Sequence, residues 1–393
     1  MLVGADGERW ERLRVVLHVH TTVSTGTLDP EDVVALAGRS GLDGVVFTDS
    51  LLRRWEYGLW PLQGVIRKVV EQPSVLQYGA QRYLDRIAQL HKKSRVIAMA
   101  ATEAAPFYYW RRSPLDRLGG EIRGWNQHLL VLGLGAQAME RLPLDHDPYH
   151  GDKGAAPYQQ FIDAAAAAGG LVIWAHPGSA HVGSHGGILD NTEPYPHLLA
   201  MTTGYQGFAI TYLGYLSIAE PGGVWDRLLS AYCQGRRPQP VWIIGESDWR
   251  GPQERPLEMV TTELLADERS ADGVLRALRA GRAWAVIRSG ASQLQLDQFS
   301  VEGAEPSAGA TVGGRVQARG PVRIIVAGRR NPEAAEAMTL TVVHDGEVLA
   351  REEIRDAVFT RSWAGPAPAA AGYYRVMMEE PSGVLYTNPV FVQ

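Results

Sequence analysis

Cysteine is almost missing from this chain of 393 residues: Cys233 is the only one. One thiol cannot close an internal disulfide, and that composition fits a reducing compartment. Positive charge is not in excess either. There are 38 lysines and arginines against 43 aspartates and glutamates, a formal charge of −5. Neither a nucleic-acid backbone nor an anionic membrane surface therefore has an electrostatic claim on the chain. No apolar run reaches the length of a bilayer crossing. The opening residues, MLVGADGERWERL, lack the basic-then-apolar pattern of a secretory signal. Internal repeats and heptads are absent. These absences lead us to expect a cytoplasmic protein with neither a nucleic-acid nor a membrane partner. What remains is an ordinary globular composition, 45% hydrophobic and 21% charged, in a chain long enough for more than one domain.

Residues 14–50 carry the densest signal. Val15, Val16 and Leu17 form a short apolar run that suits a strand buried on both faces. His18 and His20 end it at i and i+2, a spacing that puts both imidazoles on one face of a strand. Two such groups make half of a divalent-metal site, although an H-x-H pair alone is as easily structural. A loop follows, then a helix start with Asp29 as N-cap, Pro30 at the first helical position and Gly41 as the stop. Val45, Val46 and Phe47 make the next buried strand, which ends in Thr48, Asp49 and Ser50. Polar groups thus collect at the carboxyl ends of strands, where α/β folds place their sites.

Further strand ends repeat the pattern. Arg95 to Ala100 leads through Ala101 and Thr102 to Glu103, and Leu171 to Trp174 leads to His176. Val241 to Ile244 leads to Asp248, while His128 precedes its strand. Residues 51–93 read as an inserted, mainly helical segment whose Trp55, Tyr57 and Trp60 either roof a pocket or simply pack. Asp145, His146, Asp147 and His150 sit among Pro and Gly and read as a solvated loop. His181 and His185, in a Gly/Ser-rich stretch, are not read as ligands. Ser270 and Gly281 bound an amphipathic helix. After residue 290 helical periodicity stops, and short strand-length runs alternate with turn signals such as Asp345-Gly346 and Ser382-Gly383. We expect an α/β domain over 1–290 and an all-β sandwich over 291–393.

Collected, the strand-terminal groups are His18, His20, Glu103, His128, His176 and Asp248. Four imidazoles and two carboxylates suit Zn, Mn or Fe rather than the all-oxygen shells of Mg or Ca. Glu103, in the middle of the set, is the natural bridge between two cations. The order of H-x-H, T-D-x, a strand-end Glu, a strand-start His, A-H-P and a late S-D resembles the polymerase-and-histidinol-phosphatase (PHP) superfamily. The stretches EAAPFYYW (103–110), VLRALRAGR (274–282) and YYRVMMEEPSGVLYTNPVFV (373–392) are similar to its CehA/McbA-type branch of carbaryl-hydrolase relatives. The resemblance implies a distorted (β/α)7 barrel. It also implies one metal on His18, His20, Glu103 and Asp248, and a second on Glu103, His128 and His176. Asp49 matches a family aspartate that would orient a ligand histidine.

Three family positions depart. Ligands of a third metal are replaced by Thr25, Ser50 and Arg250, and a guanidinium has no lone pair to give. We therefore expect one or two divalent metals and no third. Arg250 either binds a substrate anion or is salt-bridged to a nearby carboxylate. The expected activity is hydrolysis, with a metal-bound hydroxide attacking a small anionic phosphoester. The branch keeps a carbamate, amide or carboxylic ester as an alternative substrate. A degenerate, non-catalytic ligand-binding protein is the alternative of another class.

Overall fold

Val15 and Leu17 leave their strand on one side and Val16 on the other, and this alternation builds the layers of the protein. The computed structural model describes residues 2–3, 9–58, 65–111, 121–145, 151–185, 188–211, 216–290, 292–303, 309–334 and 336–393. Strand β1 (Arg9–Val19) pairs in parallel with β2 (Gly44–Phe47), and β2 with β3 (Ile97–Ala104). β4 (Leu129–Leu132) lies antiparallel between β3 and β5 (Leu171–Trp174). β6 (Gly207–Ile210) and β7 (Trp242–Gly245) continue in parallel. On the far side of β1 run β8 (Val260–Ala266) and β9 (Ala283–Arg288), both antiparallel.

The sheet curls until its two flanks meet. Backbone N–H groups of Ser247 and Trp249 donate to the carbonyls of Leu17 and His18 at 2.8 and 2.9 Å, and His20 N donates to Trp249 O at 2.9 Å. Below that point side chains hold the seam. Thr262 Oγ1 accepts from Gly245 N at 3.0 Å and donates to its carbonyl at 2.8 Å. The Asn388 amide pairs with both backbone groups of Ile243 at 2.8 and 3.1 Å, standing in for a missing strand. Gly245 is required here, because a Cβ would meet the Thr261 carbonyl at 2.5 Å. Inside the curl, Leu13, Val15, Leu17, Ile97, Leu130 and Ile173 pack with Val274, Ala277 and Leu278 of a capping helix. Hydrocarbon therefore fills one end of the curl.

Helices α1 (Pro30–Arg39), α2 (Ala80–Lys93), α3 (Ala156–Ala167) and α4 (Val224–Cys233) cover the outer face. α5 (Ala271–Arg279) is the capping helix, and Ser270 Oγ accepts from Gly273 N at 3.0 Å as its N-cap. Asp29 does not cap α1; it accepts the Thr22 hydroxyl instead. No helix among the described residues is long and apolar enough to cross a membrane.

One difference from the sequence reading has a physical cause. Residues 53–72 hold a β-hairpin, Arg53–Gly58 against Arg67–Gln72, so only the later part of the supposed helical insertion is helix. Arg-Arg-Trp-Glu-Tyr alternates and is rich in β-favouring aromatics, a pattern hidden by its high polarity. Within the mixed α/β curl β4 runs antiparallel to β3, a pairing that needs no crossover helix. Strand pairing connects the residues before and after 290. β9 pairs with Gly383–Thr387, which continues through Gly372–Glu380 and Met338–His344 to Glu347–Ile354. A second sheet of Gly309–Thr311, Gln295–Glu302, Val322–Arg329 and Val358–Gly365 shares an apolar cluster with it. That cluster also takes in Trp10, Leu265 and Trp284 from the curl. A fully buried Arg375 grips Asp226 of α4 at 2.6 and 2.8 Å, with Tyr373 Oη donating to the same carboxylate at 2.8 Å.

Candidate metal centre

The open end of the curl is where polar groups replace hydrocarbon, and backbone conformation aims them inward. His18, His176 and Asp248 have φ of 64°, 31° and 44°. These are left-handed values that cost a non-glycine residue about 1–3 kcal/mol each. At His18 the turn also shifts the register between Leu17 and Val19. The His18 and His20 rings meet at a centroid distance of 5.1 Å through this bulge rather than through plain alternation. β4 runs backwards, so its first end, with His128, lies at the same rim as the last ends of β3 and β5.

All six residues expected from the sequence come together. One ligand atom from each of His18, His20, Glu103 and Asp248 lies within 4.8 Å of the others, and the same holds for Glu103, His128 and His176. Glu103 is common to both groups: Oε1 is 3.0 Å from His18 Nε2 and 2.6 Å from His128 Nδ1, and Oε2 is 3.6 Å from His20 Nε2. Asp248 Oδ1 is 3.5 Å from both His18 Nε2 and His20 Nε2.

These residues fit a metal by their unsatisfied atoms. His20 Nε2, His128 Nδ1 and Asp248 Oδ1 are buried without a hydrogen-bond partner. The close approach of His128 to Glu103 is off the hydrogen-bond direction, as is that of Asp248 Oδ1 to Arg250 Nη2 at 2.9 Å. Lone pairs crowded together yet not bonded to one another share a focus, and leaving them so would otherwise be costly.

Charge tells the same story. Burial alone would push the Glu103 carboxyl up, but His128, His18 and His20 outweigh it and hold the group well below the usual carboxylate range. Burial likewise opposes ionisation of Asp248, yet Arg250 and His18 hold it well down. Burial pulls His20 and His176 below the ordinary imidazole value, which keeps them neutral. For His18 burial is overcome by Glu246, Asp248 and Glu103, and its value rises well above normal. Three carboxylates around one imidazole make a place that demands positive charge.

Several contributors escaped the sequence reading. Glu246, fully buried, takes the His18 Nδ1 proton at 2.7 Å and also accepts from the His176 backbone N–H. That keeps a proton on Nδ1, so the Nε2 proton shared with Glu103 at 3.0 Å is the one a cation would displace. Asp49, by contrast, was singled out by the resemblance as the orienting aspartate; it accepts from Thr21 N and Thr21 Oγ1 at 2.8 Å and from Ser24 Oγ at 2.6 Å. Ser24 Oγ is 3.2 Å from His20 Nδ1, so Asp49 reaches that histidine through a hydroxyl. Tyr195 Oη lies 3.2 Å from His176 Nδ1. Glu246 and Asp248 stand at i and i+2 after one strand, the same spacing that singled out His18 and His20; that was the available signal for Glu246. Nothing in the sequence joins Tyr195 to His176.

The three positions at which the resemblance would put ligands of a third metal hold other groups. Ser50 Oγ donates to Glu103 Oε2 at 3.2 Å, and Thr25 Oγ1 is buried without a partner. Arg250 pairs with Asp248 through both terminal nitrogens, at 2.9 and 3.0 Å, the salt-bridged alternative of the two considered for it. A cavity of about 170 Å³ opens beside the cluster, lined among others by Arg53, Arg250, Glu103, His128, Asn126 and Trp125. Trp55 packs in a small core with Tyr108, Trp110 and Trp125, and Trp125 alone of these reaches the cavity wall. Trp60 lies outside the described residues, as do His146, Asp147 and His150; Asp145 pairs with Lys153 at 2.6 Å. His181 lies at the cavity and not in the ligand cluster.

No known protein family's sequence profile matches the chain, and no curated protein matches it. Among solved structures, it is similar to a two-domain protein from Bacteroides vulgatus containing a predicted PHP-like metal-dependent phosphoesterase. That match has 14% identity, covers 97% of this chain and 95% of that one, and has a TM-score of 0.42. A candidate metal-dependent phosphoesterase from Bifidobacterium adolescentis matches at 15% identity over 67% of this chain and 95% of its own, with a TM-score of 0.34. An amidohydrolase from Chromobacterium violaceum with bound sulfate and no metal matches at 14% identity over 68% and 96%, with a TM-score of 0.31. Scores this low fix no function, and only the side chains of the site can carry one.

Proposed function

We propose that this chain is a metal-dependent hydrolase of the PHP superfamily, near its CehA/McbA-type branch, acting on small phosphoesters. The observation that supports this most is the shared focus of buried, unpaired ligand atoms on His20, His128 and Asp248 around the two oxygens of Glu103. His18, His20, Glu103 and Asp248 would hold one divalent cation of zinc, manganese or iron type; Glu103, His128 and His176 would hold another, with no third. Such cations, when bound, acidify water and polarise an ester oxygen.

The chain's own residues prepare the site for this. Glu246 and the Asp49–Ser24 pair engage Nδ1 of His18 and His20, so that Nε2 is the nitrogen each would offer a cation. Arg250 keeps Asp248 ionised and fixed. The cavity is below the roughly 300–1,000 Å³ of drug-sized pockets, which favours a small substrate. The carbon-ester alternative rests on Trp125 in the cavity wall.

The test is metal content by mass spectrometry together with hydrolysis of aryl phosphate, aryl phosphodiester and aryl carbamate after loading with Mn²⁺ or Zn²⁺. We expect one to two metals per chain, fastest turnover of a phosphoester, and loss of both metal and roughly 100-fold or more of the rate in Glu103→Gln. Less than one tightly held metal per chain with no turnover on any substrate would establish the non-catalytic binding protein instead.

A further inference from the structure

Two neighbouring arginines on one strand meet opposite fates. Arg53 and Arg54 open the strand Arg53–Gly58, and successive side chains of a strand leave on opposite faces. Arg54 finds two carboxylates, Glu71 at 3.2 Å and Glu56 at 3.7 Å. Arg53 turns to the cavity beside the metal cluster. Among the described residues it has no ion pair, and its Nε is buried with no hydrogen-bond partner. The other cation in the wall, Arg250, is occupied by Asp248 through both terminal nitrogens. Burial works against the Arg53 charge, and Glu103, Asp190 and Asp248 favour that charge only through space, with no direct ion pair; a partly buried guanidinium so placed is an unfavourable arrangement for a fold to keep. It becomes favourable when a ligand brings the charge, because the planar fork of arginine matches an oxyanion edge.

We propose that Arg53, not Arg250, recognises an anionic oxygen group of the substrate. This rests on the hydrolase reading of the same site and narrows its substrate class. The ligand chemistry is a compact oxyanion, a phosphoryl or carboxylate group, entering the 170 Å³ cavity between Arg53 and the Glu103–His128 side of the cluster. Asn126 in the same wall adds a neutral polar group. Trp125 and the small volume limit what else can enter with the anion.

The test is calorimetric titration of inorganic phosphate, and separately of acetate, into the metal-loaded full chain and into Arg53→Met and Arg53→Lys. Circular dichroism melts and metal content are recorded on the same preparations. The expected result is phosphate binding weakened about 10–100-fold in Arg53→Met, with intermediate loss in Arg53→Lys and unchanged metal content. Acetate losing affinity by the larger factor would assign the site to a carboxylate. Phosphate and acetate affinities within twofold of the parent in a folded Arg53→Met protein would overturn the assignment. Should Arg53→Met not fold, Arg53→Lys decides: parent-like affinity there overturns the need for the fork, and a loss supports it. A parent protein that holds no metal would sink the hydrolase reading by itself. If phosphate binding in that protein still depended on Arg53, the anion site would stand; no phosphate or acetate binding at all would remove it too.

Discussion

Replacing Glu246 by Gln probes how far the site depends on a residue that touches none of the other carboxylates' ligand atoms. Glu246 is isosteric with Gln, so the packing is kept and only charge and proton direction change. The carboxylate serves two donors, His18 Nδ1 at 2.7 Å and the His176 backbone N–H. An amide has one accepting end. If its oxygen stays on His176 N, its NH₂ faces His18 Nδ1 and forces the ring proton onto Nε2. That is the atom 3.0 Å from Glu103 and 3.5 Å from Asp248, and it would lose its lone pair. If the oxygen serves His18 instead, the NH₂ opposes a backbone N–H and His176 is displaced. Either way one metal-facing histidine is lost in aim. Removing such a partner typically costs 10–100-fold in metal affinity, or about 1.4–2.7 kcal/mol. Zn²⁺ affinity measured by competition with a chromophoric chelator should fall by that factor. The metal-free melting temperature is the check on folding. A folded Glu246→Gln protein with parental Zn²⁺ affinity would show that His18 needs no fixed tautomer, and the reasoning would fail.

Two further outcomes follow from charge placement. The Asp248 carboxyl is held below its ordinary value, against burial, by Arg250 and His18. Its folded value thus lies under the unfolded one, and its contribution to stability is complete above about pH 4 and fades as pH falls through the folded value. In chelator, the stability gap between the parent and Asp248→Asn should shrink on acidification below about pH 4; a gap constant with pH would contradict the assignment. Asp226→Ala strands the buried Arg375, so urea unfolding should show a loss of about 3–5 kcal/mol. A change under 1 kcal/mol, roughly the worth of an exposed pair, would mean that water reaches the guanidinium.

How much of the site was legible depends on how each residue does its work. His18, His20, Glu103, His176 and Asp248 end apolar runs, and a run followed by a ligand-type residue is a local pattern. His128 at the start of its run was a puzzle in one dimension; the antiparallel course of β4 resolves it. Arg250 left two readings open, and the carboxylate two residues away settled its partner. Trp55 was read as either roofing a pocket or packing, and it packs against Tyr108, Trp110 and Trp125.

The sequence by itself determined the buried strands, the helix starts at Pro30 and Ser270 and the chemistry of six metal-type ligands. All of these are encoded in residue type and short-range spacing. Only the tertiary structure decided that Glu246 and Ser24 orient two histidines, that Arg53 lies at a cavity with no direct ion pair, and that the sheet passes unbroken into the C-terminal strands. Those facts depend on contacts such as that between His18 and Glu246, 228 residues apart. No local periodicity records which distant strand end will face which, because the curl of the sheet brings them together only when the whole of it is assembled.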